Sequence, residues 1–307
     1  MKRVLVTGAN GMLGKSVTNS LAASNYEVIP ITRGELDLTD SVATKRNIEK
    51  NSPDAIVHCA ALVGGIQANL SGGGKFLLEN LSIDHSLLTA AKQMEIKDLV
   101  YIGSSCMYPA NRNLPLTEDQ ILTGPLEKTN ENYALAKITG SRIVESIAMD
   151  YQLNWRTFIA SNLYGPNDHF GSDKSHLLSA IITKAIEAKK SKSKIEMWGD
   201  GKPRREFTFV EDFSDWIATS INKLAILPQN LNLGIGTDHT VHEFYSMVLE
   251  AIDYQTEVIP NLDKPNGNMR KLMDSSKARA AGWNPKISIE VGIANTINWY
   301  VSNMVKQ

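Results

Sequence analysis

Short, β-branched apolar runs recur through the first half of the chain: RVLVTG (3–8), EVIPIT (27–32), DAIVHCA (54–60), DLVYIGS (98–104) and NWRTFIAS (154–161). Runs this short, apolar at nearly every position, read as strands buried on both faces. Between them, stretches near 12–23, 41–50, 75–95 and 131–149 carry apolar residues at helical spacing. Strands alternating with helices predict βαβ units with right-handed crossovers, hence an α/β fold built on a doubly wound parallel sheet. The second half is less regular. A polar loop, YGPNDHFGSDKSH (164–176), precedes a helix near 176–189 and the solvated lysine run KKSKSK. REFTFVEDF (205–213) reads as a strand entering a helix and is expected to rejoin the first sheet. Further helices are expected near 241–252 and 288–303. The predicted division is a sheet domain over 1–163 with a returning segment about 205–235, and a second, smaller α/β lobe over 164–204 and 236–307.

Composition narrows the class. With 307 residues, 42% hydrophobic, 21% charged and a net charge of -1, the chain is ordinary globular protein. It presents no electrostatic case for nucleic acid or an anionic membrane. Its apolar runs are too short to span a bilayer. The start, MKRVLVTGANG, lacks a signal-peptide core. The only cysteines, Cys59 and Cys106, fall on separate predicted strands and make no disulfide framework. A cytoplasmic protein with reduced thiols is expected.

Chemistry enters at VTGANGMLG (6–14), where Gly8, Gly11 and Gly14 join the first strand to the first helix. Such a Rossmann-type turn brings backbone N–H groups, and the helix N-terminus, to a dinucleotide pyrophosphate. Asn10, Met12 and Leu13 complete it. The second strand ends with Arg33 rather than an acid, which suits a ribose 2′-phosphate and favours NADP(H) over NAD(H). A surface arginine is the plain alternative. Asp37 and Leu38 follow, near the expected adenine position.

YALAK places Tyr133 and Lys137 four apart, on one helix face. A phenol can protonate a carbonyl oxygen as hydride arrives, and a nearby ammonium stabilises the phenolate. Ser104, ending the fourth strand, can hydrogen-bond the same oxygen. Two residues on, Cys106 reads either as apolar filler or as a reactive thiol. The residues alone leave both open.

Glycine turn, Ser104 and Tyr133-x-x-x-Lys137, in that order, resemble the extended short-chain dehydrogenase/reductase superfamily. CAALVGGIQAN (59–69), GSSCMYP (103–109), NENYALAK (130–137), NLYGPND (162–168), SHLLSAII (175–182), WGDGKPRREF (198–207) and KPNGNMRKLMD (264–274) resemble the GDP-L-fucose synthase family within it. That resemblance implies a 3,5-epimerase/4-reductase acting on GDP-4-keto-6-deoxy-D-mannose with NADPH. It implies a reductase centre of Ser104, Tyr133 and Lys137, and an epimerisation acid/base pair of Cys106 and His176. It implies cofactor contacts from the glycine turn, Arg33, Ser104, Tyr133, Lys137, Ala160, Asn162, Leu163 and His176. Lys184, Trp198, Arg205 and Asp274 are implied at the nucleotide-sugar, and no metal. It also implies a homodimer formed through the helices near 75–95 and 131–149.

The chain departs from that family at LSGGGKFLLEN (70–80), a glycine-rich stretch near the cofactor and the expected dimer helix that implies loop mobility or an altered substrate fit. It departs again at Leu62, where lysine is frequent, and at Ala160, where proline is common. These changes favour, as the alternative substrate, a related GDP-4-keto sugar of colitose or deoxyheptose type, with or without double epimerisation. A non-catalytic NADP(H) sensor is disfavoured by intact Tyr133 and Lys137. A dehydratase is disfavoured by Ser105 and Cys106, which stand where an Asp–Glu pair is expected.

Overall fold

The computed structural model describes residues 1–110, 112–171, 175–264 and 268–305. Residues 172–174 and 265–267, inside two of the quoted strings, lie outside that set. Six parallel strands form the central sheet, in the order β10-β5-β4-β3-β1-β2. They are β1 (Arg3–Thr7), β2 (Glu27–Ile31), β3 (Ala55–His58), β4 (Asp98–Ser104), β5 (Asn154–Ala160) and β10 (Asn230–Leu233). The sequence places five of the six within about two residues. Strand β2 pairs only with β1, and Pro30, which has no N–H to donate, is tolerated on that edge.

Alternate residues of each strand feed different cores. Val4, Val6, Val57, Val100 and Phe158 meet helices α1 (Met12–Ala23) and α6 (Val210–Ser220) on one face. Leu5, Ile56, Leu99, Tyr101 and Trp155 meet α2 (Ser41–Asn51), α3 (Ile66–Gln93) and α4 (Glu131–Tyr151) on the other. A third cluster joins α5 (Leu177–Ser191), α7 (Val241–Ala251) and α9 (Ile289–Tyr300) to the short strands β7 (Ile195–Trp198) and β9 (Phe207–Phe209).

Two expectations are corrected. Strand β9 pairs with β6 (Asn162–Tyr164) in a separate two-stranded sheet; within 205–235 it is α6 and β10 that return to the main sheet. And the helix expected near 75–95 begins earlier, at Ile66: α3 runs through 70–80, broken only at Gly72, whose φ -130° and ψ 24° are non-helical. Buried Phe76 anchors the segment. Gly73 lets α3 press on the start of α4, since an added Cβ there would meet Asn132 Nδ2 at 2.4 Å.

Candidate active site

The glycine turn has the form a pyrophosphate requires. Gly8 sits at φ +66°, and a Cβ on Gly14 would fall 2.1 Å from the Gly8 carbonyl oxygen, so α1 rests directly on the turn. Gly11 is the N-cap of α1 and supplies no side-chain cap. The first-turn N–H groups are therefore left to an anion. Asn10 is exposed there, and Met12 and Leu13 are half-buried.

Past β2 the two acids are engaged in their own loop. Glu35 accepts from the Thr32 hydroxyl at 2.8 Å and the Thr32 N–H at 3.0 Å, bonds that hold its carboxyl below the usual range. Asp37 caps the Thr39 N–H at 3.0 Å and hydroxyl at 2.8 Å, with the same effect. Leu38 packs in the core with Ile31, Leu36 and Ile48. The exposed group is the Arg33 guanidinium, steered by Glu79 of α3 at 3.0 Å. A cation with no competing free acid fits a 2′-phosphate.

Ser104 ends β4, and its Oγ accepts the Cys106 N–H at 3.2 Å. Helix α4 packs on the 3-10 turn Ser105–Met107, which brings Tyr133 and Lys137 to that strand end. Lys137 is buried, its ammonium 4.6 Å above the Tyr101 ring. Burial pushes its pKa down, opposed by Asp84 and Cys59. Burial pushes Tyr133 up, reinforced by Cys106 and Asp84, so the phenol keeps its proton for delivery. The Cys106 thiol sulfur is half-buried and accepts from Asn130 Nδ2 at 3.1 Å. Both cysteines are free. Burial pushes the Cys59 thiol up to about 12, which marks it as inert filler.

His176 is the N-cap of α5. Its Nδ1 lies 3.1 Å from Oδ1 of buried Asp168, whose other oxygen has no hydrogen-bond partner among the described residues. Burial opposes the imidazolium, but the hydrogen bond and charge of Asp168 outweigh it and raise His176 above its ordinary value. Nδ1 is thereby committed to Asp168, and Nε2 is the atom left for chemistry.

Arg205 donates to the carbonyls of Arg204 at 2.8 Å and Asn268 at 2.6 Å. Burial lowers its pKa, opposed by Glu127 and by Cys106, so the guanidinium stands within electrostatic reach of the thiol. Arg204 instead bonds Asp238 at 2.8 Å, which also holds Arg270. Both guanidinium groups are thus held by acceptors of the protein itself. Trp198 is half-exposed rather than core, with the Lys184 and Lys264 ammonium groups 5.5 and 5.2 Å from its ring. Lys184 and Trp198 line an open cleft of about 470 Å³ that contains none of Ser104, Tyr133 or Lys137. Asp274 accepts the Ser276 N–H at 2.7 Å. Ala160 ends β5 buried, Leu163 packs beside the sheet core, and Asn162 donates to the Glu206 carbonyl at 2.8 Å. Among the described residues, no cluster of three or more His, Cys, Asp or Glu could hold a metal.

The model of the NAD dependent epimerase/dehydratase family matches residues 4–234. The chain belongs to this family. It is 41% identical over 302 residues to GDP-L-colitose synthase of Yersinia pseudotuberculosis, covering 98% of each chain. It is 40% identical over 302 residues to GDP-L-fucose synthase of Azorhizobium caulinodans, covering 98% of this chain and 97% of that one. A solved GDP-6-OMe-4-keto-L-xylo-heptose reductase from C. jejuni has a TM-score of 0.92 at 28% identity, with 98% of each chain covered. The resemblance to GDP-L-fucose synthases and the Rossmann-type fold are borne out at this level. The protein is an epimerase/dehydratase-family enzyme of the oxidoreductase and epimerase class.

In this epimerase/dehydratase-family enzyme, sequence reading missed Asp168, Asn130 and Asp84. The first two stand inside quoted strings, NLYGPND and NENYALAK, where a carboxylate eight residues before a candidate acid/base histidine was the available signal. Asp84 carried none.

Proposed function

We propose that this enzyme epimerises C3 and C5 of GDP-4-keto-6-deoxy-D-mannose and reduces its C4 ketone, giving GDP-L-fucose. One observation carries the reading. A reductase arrangement, Tyr133–Lys137 at the Ser104 strand end, shares the chain with two further acid/base groups, Cys106 held by Asn130 and His176 held by Asp168. The cofactor is NADP(H), supported by the uncapped glycine turn and by Arg33. When bound, NADPH supplies the hydride for C4.

The C4 ketone acidifies the protons on C3 and C5. One of Cys106 and His176 removes each proton, and the other returns one to the opposite face, so epimerisation is proton-neutral. Ser104 donates to O4, and Tyr133 passes its phenolic proton there as the carbonyl is reduced. Lys137 stabilises the phenolate until solvent reprotonates it. Arg205 holds the diphosphate, Trp198 and Lys184 the nucleoside end, and Asp274 a sugar or ribose hydroxyl.

Residues 1–163 with 205–235 form the cofactor unit, because α6 and β10 pack into the sheet core, and 164–204 with 236–307 form the substrate lobe. The enzyme is a cytoplasmic homodimer paired through α3 and α4, which expose Leu78, Leu135 and Met149. Among the described residues, no helix is long and apolar enough to cross a membrane.

The second reading is a related GDP-4-keto sugar, favoured by Leu62 and Ala160 and by relatives named for colitose and heptose derivatives. Turnover in heavy water with NADPH separates the two. The fucose precursor is expected to gain deuterium at C3 and C5, and Tyr133→Phe is expected to abolish NADPH oxidation. Cys106→Ser is expected to reduce an already epimerised ketone while losing most exchange. Product without deuterium at either carbon, or faster turnover of a different GDP-keto sugar, would reject the fucose reading.

A further inference from the structure

A line of buried polar side chains crosses the sheet beneath the glycine turn, and the chemistry above uses none of them. Thr7 ends β1, His58 ends β3, Asp84 sits on α3 and Tyr101 on β4, each 0 or 1% exposed. Burial on this scale is costly unless every polar atom is matched. Here each has a partner. The Ala60 N–H donates to Thr7 Oγ1 at 3.1 Å, and Thr7 Oγ1 and His58 Nδ1 share a hydrogen bond of 2.7 Å. On its other side, His58 Nε2 and Asp84 Oδ1 share a hydrogen bond of 3.1 Å. Tyr101 donates to Asp84 Oδ2 at 2.6 Å. Burial holds His58 below its ordinary value, which keeps it neutral. Taken as the carboxylate that a neighbouring ammonium favours, Asp84 accepts on both oxygens, which puts the imidazole proton on Nε2 and leaves Nδ1 to accept from Thr7.

A buried carboxylate needs a buried cation, and one lies next to it. Lys137 is 3% exposed, and its ammonium rides 4.6 Å over the same Tyr101 ring whose hydroxyl holds Asp84. Gly140, one turn along α4 from Lys137, makes room: a Cβ there would meet Tyr101 Oη at 2.2 Å and Asp84 Oδ2 at 2.5 Å.

We propose that Asp84, aimed by His58 and Tyr101, is the fixed counter-charge of Lys137 and acts as a positioning residue for the reductase centre. The inference deepens the reading above and rests on the role given there to Tyr133 and Lys137. The titratable groups around the Lys137 ammonium are Asp84 from α3, Cys59 beyond β3 and neutral His58 ending β3, with the Tyr101 ring of β4 beneath it and Tyr133 one turn back on its own helix. Cys59 is held protonated by burial, so Asp84 is the anion among them. Its negative charge favours the protonated form of both Lys137 and Tyr133, and reduction needs both protons in place. Removing that charge moves both deprotonations to lower pH.

Two readouts test this on the full chain. The first is the pH profile of kcat for NADPH-dependent ketone reduction, in which Asp84→Asn brings the alkaline limb to lower pH while KM for NADPH stays near wild type. The second needs no turnover. With ¹³C-lysine labelling, and the Lys137 signal assigned through Lys137→Arg, the Lys137 titration midpoint falls in Asp84→Asn and recovers toward wild type in Asp84→Glu. If Asp84→Asn does not fold, Tyr101→Phe is read the same way. It keeps the ring under the ammonium and removes the hydroxyl that aims the carboxylate, so the midpoint again falls. A Lys137 midpoint unchanged in the folded variant overturns the proposal. Wild-type protein that oxidises no NADPH with any GDP-keto sugar overturns the proposed function instead, and the lysine titration still decides the role of Asp84.

Discussion

Asn232 is a test of how the sheet grips the substrate-binding segment. Its side chain is fully buried on β10 and makes three bonds to three different parts of the chain. Oδ1 accepts from Tyr108 Oη at 2.6 Å; Nδ2 donates to the Leu116 carbonyl at 2.9 Å and the Asp274 carbonyl at 3.0 Å. Asn232→Leu preserves the volume and removes all three. The Leu116 carbonyl keeps the Asp274 N–H at 2.8 Å and is not orphaned. The Tyr108 hydroxyl is, deep in the interior, and the half-buried Asp274 carbonyl is in part. At about 1–3 kcal/mol per buried group left unpaired, the expected loss is about 2–4 kcal/mol. Urea denaturation followed by circular dichroism reads it, with the slope m unchanged. Because the lost bonds anchor the residue proposed at the sugar, KM for the GDP-sugar is expected to rise while NADPH affinity holds. Adding Tyr108→Phe removes the orphaned hydroxyl and should restore about 1–2 kcal/mol. A loss below about 1 kcal/mol, or no recovery in the double variant, would show that the network stabilises less than its geometry requires.

Other outcomes follow from the same kind of reasoning. Burial pushes buried Glu206 up to about 7, while it accepts the Gly236 N–H at 2.7 Å and the Met273 N–H at 3.1 Å. A folded value above the unfolded one means stability is gained as pH falls, so relative to Glu206→Gln the wild type should gain up to about 3 kcal/mol between pH about 7 and 4.5. Denaturation midpoints across that window check it, and a flat difference refutes it. In Asp168→Asn, His176 retains the effect of burial and loses the charge that outweighs it. Its imidazolium should deprotonate at lower pH, visible in ¹⁵N histidine spectra and as an earlier alkaline fall in deuterium exchange; an unmoved titration rejects the pairing.

What could be read in the sequence is what local pattern dictates. Strands β1, β3 and β4 are β-branched runs with a single solution, so their limits are legible, and the glycine turn, Ser104, Tyr133 and Lys137 come with them because each sits at a fixed offset from a strand or helix end. The start of helix α3 was hidden for a local reason: three glycines in a row lower helix propensity, and it is the burial of Phe76 and the approach of Gly73 to Asn132 that accompany the helix across them. The partners of the chemical residues were hidden for a different reason. Asp168 reaches His176 across the end of a loop, and Asp84 comes within electrostatic range of Lys137 only because α3, β3 and β4 are stacked in one register that places His58 beside Tyr101. No spacing rule connects positions 58, 84, 101 and 137. The reacting groups follow from the chain's local grammar, but their protonation states follow from which buried charges the fold brings beside them, and that is where substitutions far along the sequence should change the chemistry while leaving the motifs intact.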